Sequence, residues 1–317
     1  MATDPVALSP ATIAQVAVEP GTASWAERGS ILLRALVRER LCLAAAIFLV
    51  VIVSGAVAAN VLVGLGLSDP HLPNIILRNS PPGFARDGSF HILGTDQLGR
   101  DMLSRILFGA RVSLSVGLAT VVISGIIGVL VGLLAGFYRG KVDDLLMRLV
   151  DVQTGFPSLL LALVVLYSAG PGFQNVILVL ALTRWMVIAR VTRAMTLSLR
   201  EAPFIEAGKV LGASDRRLMF GHLLPNMISP ILVLCTLEFA RAMLSEAALS
   251  FLGVGIQPPE ASWGLMLSQG REYITTAWWL VALPGLAIVL TTLSVNLLAI
   301  WLRGITDPVQ RWRWLDT

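Results

Sequence analysis

The strongest constraint on this sequence is a set of long apolar runs that contain no charged residue. Two of them, Leu41–Leu67 and Val112–Tyr138, exceed the roughly 20 apolar residues that a helix needs to cross a bilayer. Charged residues make up 14% of the chain, whereas about 25% is typical of soluble domains. We therefore expect an integral membrane protein that is almost entirely helical, which excludes the soluble enzyme classes.

Six membrane spans are expected along the chain. The sequence Gly170-Pro171-Gly172 divides one long charge-free stretch into two spans, because Gly and Pro together interrupt regular structure. Lys and Arg residues near the span ends favour an orientation with cytoplasmic N- and C-termini. The expected spans are 41–67, 112–138, about 145–169, 173–195, 227–252 and 273–302.

The segments around these spans complete the expected organisation. Apolar and basic residues alternate between positions 25 and 40, which is typical of an interfacial helix, although a plain extension of the first span fits as well. The expected divisions are a mobile cytoplasmic tail (1–24), the interfacial helix (25–40), the first span (41–67), an external segment (68–111), a core of five spans (112–302) containing a polar segment at about 200–226, and a cytoplasmic tail (303–317).

The 200–226 segment is a polar, helix-forming island between long apolar runs. Pro203 suits the first turn of a helix, where its missing N–H costs nothing. Glu206 lies early in that helix, where a carboxylate complements the helix dipole, and Gly212 is a natural C-terminal cap. A surface helix between spans predicts a contact with a partner outside the membrane; an ordinary connecting helix is the alternative.

Several kinds of site have no counterpart in the sequence. A Walker A loop needs Gly, four residues, then Gly-Lys and Ser or Thr, but Gly140-Lys141 and Gly208-Lys209 are both followed by valine. The three histidines are far apart, so no metal site is expected. The small excess of basic residues is not evidence for nucleic-acid binding, and the two cysteines imply no disulfide framework. We expect no cofactor on this chain; if ATP drives its function, another polypeptide hydrolyses the ATP.

The 200–226 segment also resembles the EAA loop of ABC-importer permeases, whose pattern is Glu-Ala-Ala, three residues, Gly, nine residues and Ile-x-Leu-Pro. Gly208 stands at the second Ala position and His222 at the Ile position. The resemblance implies a type I ABC-importer permease fold, and it makes this loop the docking element for a separate ATPase subunit that binds ATP and Mg²⁺. The positions in register are Glu206, Ala207, Gly212, Leu224 and Pro225.

Two further segments resemble permeases of the dipeptide/oligopeptide/nickel group, specifically the second, C-type subunit. The resemblance implies a second homologous permease, two ABC ATPase subunits and an external solute-binding protein in the bacterial inner membrane. It implies peptide cargo, with nickel chelates, glutathione and opine-like conjugates as alternatives, because nothing in the spans identifies the cargo. The segments are Gly94–Arg105 with Gly109–Leu114, and Glu246–Gly255 with Pro258-Pro259 and Ser262-Trp263-Gly264.

Ionisable residues inside the expected spans are costly and usually face a pathway or a partner. Arg184 stands alone in the fourth span, whereas Glu238 and Arg241 are three residues apart in the fifth and can pair. Glu246 lies one or two turns further along. These four residues are candidates for the translocation path or its gate; clamps between spans, or against the second permease, are the alternative.

The external segment offers a second candidate surface. Residues 94–111 alternate charged and apolar residues and are long enough for a helix outside the second span. Such a helix would cap the pathway or receive the solute-binding protein, and a structural plug without a contact role is the alternative. The candidate docking residues are Asp96, Arg100, Asp101 and Trp263.

Two other classes of function fit the sequence less well. An ion-gradient secondary transporter predicts intramembrane carboxylates arranged as a proton relay, and paired broken helices in two related halves. Glu238 and Glu246 are the only candidates for such a relay, and the sequence shows no strong internal repeat. A membrane-embedded enzyme lacks paired catalytic carboxylates, a histidine cluster or a nucleophile–base spacing.

Overall fold

The computed structural model describes residues 36–37, 39–65, 68–85 and 88–306. The predictions for residues 1–24, and most of those for 25–40 and 303–317, lie outside the described residues. The elements in chain order are α1 (Arg40–Gly64), a 3₁₀ turn (Ile75–Leu77), β1 (Gly83–Phe84), β2 (Phe90–His91), α2 (Met102–Tyr138), α3 (Gly140–Thr154), α4 (Ser158–Ala169), α5 (Phe173–Leu199), α6 (Pro203–Val210), a π-helix (Arg217–Leu223), α7 (Leu224–Phe251), α8 (Trp263–Gly270), a second 3₁₀ turn (Arg271–Tyr273) and α9 (Trp279–Thr306).

The described part of the chain has the helical membrane architecture that the sequence predicts. It contains five helices that are long and apolar enough to cross a bilayer, and a sixth span if the bent pair α3 and α4 is counted as one. The predicted break at Gly170-Pro171-Gly172 is confirmed, since α4 ends at Ala169 and α5 begins at Phe173. The five are α1, α2, α5, the π-helix together with α7 (Arg217–Phe251), and α9 as far as Gly304.

The prediction of a single helix over residues 145–169 is wrong. α3 and α4 are separate helices that meet at an angle of 84°. Pro157 lies between them, and proline has no N–H to continue the helical ladder and disfavours helical geometry at the preceding residue, Phe156. The charge-free stretch that begins at Val152 concealed this break, because the absence of charge does not register a single proline.

The prediction of a separate helix within residues 94–111 is also wrong. Residues 94–100 form turns, and the Asp101 carboxylate caps α2 by accepting a hydrogen bond from the Ser104 N–H at 2.8 Å. α2 then runs without a break for 37 residues, a length of about 55 Å. Because the hydrocarbon core of a bilayer is about 30 Å thick, α2 projects well beyond it.

α2 and α5 pack closely against each other along a row of glycines. Three glycines, Gly128, Gly132 and Gly136, lie one turn apart on the face of α2 that meets α5. A Cβ atom added at Gly132 would lie 2.4 Å from the Ala189 carbonyl oxygen, and one at Gly128 would lie 2.6 Å from the Trp185 carbonyl oxygen. The two backbones therefore touch directly, which is how small residues stabilise helix pairs in membranes.

α1 lies at the periphery of the bundle. It packs against α2 and α9 through small buried residues such as Ala56 and Ala59. Its opposite face exposes Val50, Val57 and Val61, as expected for a helix that faces lipid. The internal core accordingly consists of α2, α5, α7, α8 and α9.

Candidate functional site

The 200–226 segment contains a short helix, α6, that ends in a glycine turn as predicted. Gly212 has a φ angle of +77°, a conformation that glycine adopts without strain. The Gly212 N–H bonds to the Lys209 carbonyl at 3.0 Å, and the Ala213 N–H bonds to the Gly208 carbonyl at 3.0 Å. These two bonds form a Schellman motif, which satisfies the last carbonyls of α6 and reverses the chain.

α6 has one buried side and one exposed side. Ile205 is fully buried against Leu218 and Leu223, so the helix is anchored to the segment that follows it. Glu206 and Ala207 are exposed, and Val210 and Leu211 are 87% and 86% exposed. A carboxylate beside an exposed apolar pair on a projecting helix is the composition of a protein-contact surface.

Gly208, which stands at the second Ala position of the EAA pattern, lies close to the π-helix. A Cβ atom at Gly208 would lie 2.9 Å from the Leu218 Cδ2 atom, the far end of a flexible side chain, so an alanine here requires only a small movement of Leu218. The π-helix runs directly into α7, whose first two residues are Leu224 and Pro225. α6 is therefore linked to a spanning helix by one tight turn and a continuous helical segment.

A surface ion pair joins the end of α2 to the 200–226 segment. Arg139 Nη2 lies 2.5 Å from Glu201 Oε1, and both side chains are substantially exposed. The hydrogen bond from Arg139 lowers the pKa of the Glu201 carboxyl below its usual value. Because solvent screens such a pair, it positions the segment more than it stabilises the fold.

Three of the four ionisable residues predicted in the spans form one cluster between α5 and α7. The predicted pair is confirmed, since Arg241 Nη1 lies 2.7 Å from Glu238 Oε1. Arg184 does not stand alone as expected: its Nη1 atom lies 3.8 Å from Glu238 Oε2, and its Nη2 atom donates to the Ser245 hydroxyl. The spacing of α5 and α7 in the chain gave no signal of this contact, because it depends on tertiary packing.

Glu246 lies apart from that cluster, in a network of hydroxyl groups. It is buried and accepts hydrogen bonds from Ser113 Oγ at 3.1 Å and Ser250 Oγ at 2.8 Å. Ser113 Oγ also accepts the Trp263 N–H at 3.3 Å. Glu246 thus joins α2, α7 and α8, and no group of three or more His, Cys, Asp or Glu that could hold a metal ion is found within the described ranges.

The residues predicted to dock an external partner instead make contacts inside the external segment and stabilise it. Asp96 is buried and accepts hydrogen bonds from the Leu98 N–H at 2.8 Å and from Arg100 Nε at 2.7 Å. Arg105, only 3% exposed, also pairs with Asp96. Because these internal contacts occupy the Asp96 carboxylate, a partner protein would bind the outer surface of the segment and not Asp96 itself.

Asp101 and Trp263 are likewise interior residues. Asp101 Oδ1 lies 2.9 Å from His91 Nδ1 on β2, and Trp263 is fully buried with its Nε1–H donating to the Ile106 carbonyl at 2.9 Å. A direct docking role for these side chains does not fit their burial. An exposed apolar surface nearby was not predicted, although the sequence places its apolar residues among charged ones. The residues of this surface are Leu72, Ile75, Ile76, Phe84, Phe90 and Ile92.

Replacement of Asp96 by alanine is expected to destabilise the external segment strongly. The change leaves the buried Arg105 guanidinium without its carboxylate, and loss of one partner of a buried ion pair costs about 3–5 kcal/mol. Thermal unfolding of the purified protein and limited proteolysis would measure the effect. Asp69→Ala is the control, since Asp69 accepts an exposed hydrogen bond from the His71 N–H; equal stability of the two variants would contradict this role of Asp96.

The multi-span fold, with a projecting helix and a buried charge cluster, defines a membrane transport component, and comparison with known proteins agrees. Residues 128–312 match the family described as the inner membrane component of binding-protein-dependent transport systems. The chain therefore belongs to this family, whose members are multi-pass proteins of the bacterial inner membrane.

Three relatives illustrate the similarity. The di/tripeptide transport system permease protein DppC of Pseudomonas aeruginosa is 46% identical over 230 residues, covering 72% of this chain and 76% of that protein. The dipeptide transport system permease protein DppC of Alkalihalophilus pseudofirmus is 43% identical over 218 residues (69% and 72%). The glutathione transport system permease protein GsiD of Pectobacterium atrosepticum is 42% identical over 220 residues (69% and 73%).

Proposed function

We propose that this chain is one of two permease subunits of an ATP-driven importer for di- and oligopeptides. The observation that carries the proposal is α6, a helix with an exposed carboxylate and an exposed apolar pair, joined through a single turn to a spanning helix. Such an element can convert a movement outside the membrane into a movement of a span. The names of the relatives supply the class of cargo.

In this proposal a partner ATPase binds each permease at its 200–226 segment. Glu206, Ala207, Val210 and Leu211 form the contact, and Gly212 fixes the end of the helix. ATP and Mg²⁺ bind in the two ATPase subunits, which hydrolyse the ATP. Closure of the ATPases moves α6, and α6 moves α7 between outward-open and inward-open arrangements.

The proposed orientation places both termini and the 200–226 segment in the cytoplasm. Residues 68–101 and the start of α2 are then outside, where a solute-binding protein delivers the cargo. The exposed apolar residues of that region, among them Ile76 and Phe84, are the proposed contact surface. The bulk of the chain belongs to the lipid bilayer, with the second permease completing the central path.

The charge cluster of Arg184, Glu238 and Arg241 is the proposed part of this chain that lines the path. Arg241 supports the proposal, because its side chain is 59% exposed whereas its partner Glu238 is fully buried. Glu246 is assigned a different role, since its carboxylate is enclosed by hydroxyl groups. It clamps α2 to α7.

Uptake of labelled peptides by intact cells tests the proposed cargo. Deletion of this chain is expected to abolish uptake of di- and oligopeptides, and re-expression is expected to restore it. Unchanged peptide uptake in the deletion strain would contradict peptide import. In that case labelled glutathione, nickel chelates and opines become the substrates to test, since one of the relatives is named for glutathione.

A further inference from the structure

The intramembrane charge cluster carries more positive charge than its own residues neutralise. Arg184 lies near the middle of α5, and Glu238, Arg241 and Ser245 lie on the facing side of α7. Glu238 is the carboxylate that contacts both arginines, so two guanidinium groups share one carboxylate. Two cations and one anion leave a net charge of about +1 in a setting where charge is costly.

The hydrogen-bonding capacity of the cluster is also incompletely used. A guanidinium has five N–H donors, but the Arg184 Nε–H has no partner among the described residues. Glu238 Oε2 is buried without a hydrogen bond, since Arg184 Nη1 lies 3.8 Å away. Buried polar groups are usually satisfied. The free Arg184 Nε–H can therefore take an acceptor group, whereas Glu238 Oε2, itself an acceptor, can be satisfied only by a donor.

The position of Arg241 indicates where that group would enter. Its side chain is 59% exposed although it lies within a spanning helix. A guanidinium that faced lipid at this depth would be strongly unfavourable. Arg241 therefore faces a water-filled path or another protein chain, and it is the open side of a cluster in which Glu238 is fully buried and Arg184 is 16% exposed.

We propose that Arg184 and Arg241 bind a carboxylate of the cargo during transport. The inference rests on the proposed function and names the group that the path recognises, the C-terminal carboxylate of a peptide. Arginine matches a carboxylate through parallel N–H···O bonds. Every unmodified peptide has this group whatever its sequence, so one site serves cargo of varied side chains.

Glu238 acts as the internal competitor of the cargo in this scheme. It holds Arg241 at 2.7 Å when the site is empty, so the path never contains an unpaired guanidinium. The cargo carboxylate takes over Arg241, and Glu238 recovers it when the cargo leaves. Binding is therefore weak enough for release, which a transport site requires.

The test is equilibrium binding to the complete importer complex, purified through this chain and held in lipid nanodiscs without solute-binding protein. The probes are a labelled dipeptide with a free C-terminal carboxylate and the same dipeptide as its C-terminal amide. The free acid is expected to bind at least about tenfold more tightly than the amide, since a site built for one group rejects an analogue that lacks it.

The two arginine variants and the glutamate variant are expected to change the affinity for the free acid in opposite directions. Arg241→Gln and Arg184→Gln are expected to remove the preference for the acid while leaving binding of the amide unchanged. Glu238→Gln is expected to tighten binding of the acid, because it removes the competitor. The matched control is Arg271→Gln, which removes a positive charge outside the cluster, where Arg271 lies over the Phe251 ring; this variant is expected to behave as wild type.

Failure of this site is distinguishable from failure of the proposed function. Uptake of the free dipeptide by the wild-type complex, measured in proteoliposomes with solute-binding protein, reports on peptide import alone. If import occurs, equal binding of acid and amide, binding of neither, or an unchanged preference in both arginine variants overturns the site. Loss of the second permease from the Arg241→Gln complex also overturns it, since Arg241 is then a subunit contact. If peptide import itself fails, the peptide-carboxylate site is rejected together with the cargo.

Discussion

Replacement of Gly132 by alanine is expected to remove most of the folded protein from the membrane. The added Cβ atom would lie 2.4 Å from the Ala189 carbonyl oxygen and 2.7 Å from Thr192 Cβ. Both atoms belong to the backbone or its first side-chain carbon, so α2 and α5 must move apart. Overpacking costs about 1–3 kcal/mol or more, and here it falls on a helix pair whose backbones are in direct contact. The amount of monodisperse protein after detergent extraction, with its thermal midpoint, measures the effect.

Gly125→Ala is the matched control for this change, because it lies in the same helix and adds the same methyl group. Its Cβ atom would lie 3.6 Å from Cys235 Sγ, an ordinary contact distance. Alanine favours a helix over glycine by up to about 1 kcal/mol, so this variant should be at least as stable as wild type. Equal yields from Gly132→Ala and Gly125→Ala would show that α2 and α5 are not in direct backbone contact.

Reversal of charge at Glu206 is expected to abolish transport while the chain remains folded in the membrane. Glu206 is exposed on α6, so Glu206→Lys creates no clash within the chain. It places a positive charge at the centre of the proposed ATPase contact, where a mismatched charge costs several kcal/mol. Peptide uptake should fall to background, and the ATPase subunits should no longer co-purify with this chain.

The control for this variant is Glu260→Lys, the same charge reversal on an exposed residue between α7 and α8. In the proposed orientation this residue is on the opposite side of the membrane from α6, so the ATPase subunits should be retained. Retention of both the ATPase and peptide uptake by Glu206→Lys would contradict the docking role of Glu206. Loss of the ATPase from both variants would contradict the proposed orientation.

The helical elements that the sequence predicts well are those defined by local chemistry. Pro203 and Gly212 mark the two ends of the polar helix because both act through their own backbone. The break at Gly170-Pro171-Gly172 is of the same kind. Pro157 is equally local, but it lies in a charge-free stretch, and the absence of charge alone predicts one continuous span.

The candidate sites depend on packing, and the sequence predicts them only in part. The Glu238–Arg241 pair follows from helical spacing, whereas the contact of Arg184 with Glu238 requires knowledge of how α5 lies against α7. The external residues illustrate the opposite error. The external position of their segments makes Asp96 and Trp263 candidates for docking, yet both are buried by tertiary contacts.

The π-helix that precedes α7 has a mechanical consequence. Because it continues into the span without a loop, Arg217–Phe251 is one helical segment of 35 residues, about 50 Å in length, although Pro230 inside α7 removes one hydrogen bond of its ladder. A tilt of about 10° of a rigid segment of this length displaces its far end by about 9 Å. Glu238 and Arg241 lie in its far half, so a movement of α6 would be transmitted to the charge cluster, and the stiffness of residues 217–223 and of the helix around Pro230 would determine how much of the movement arrives there.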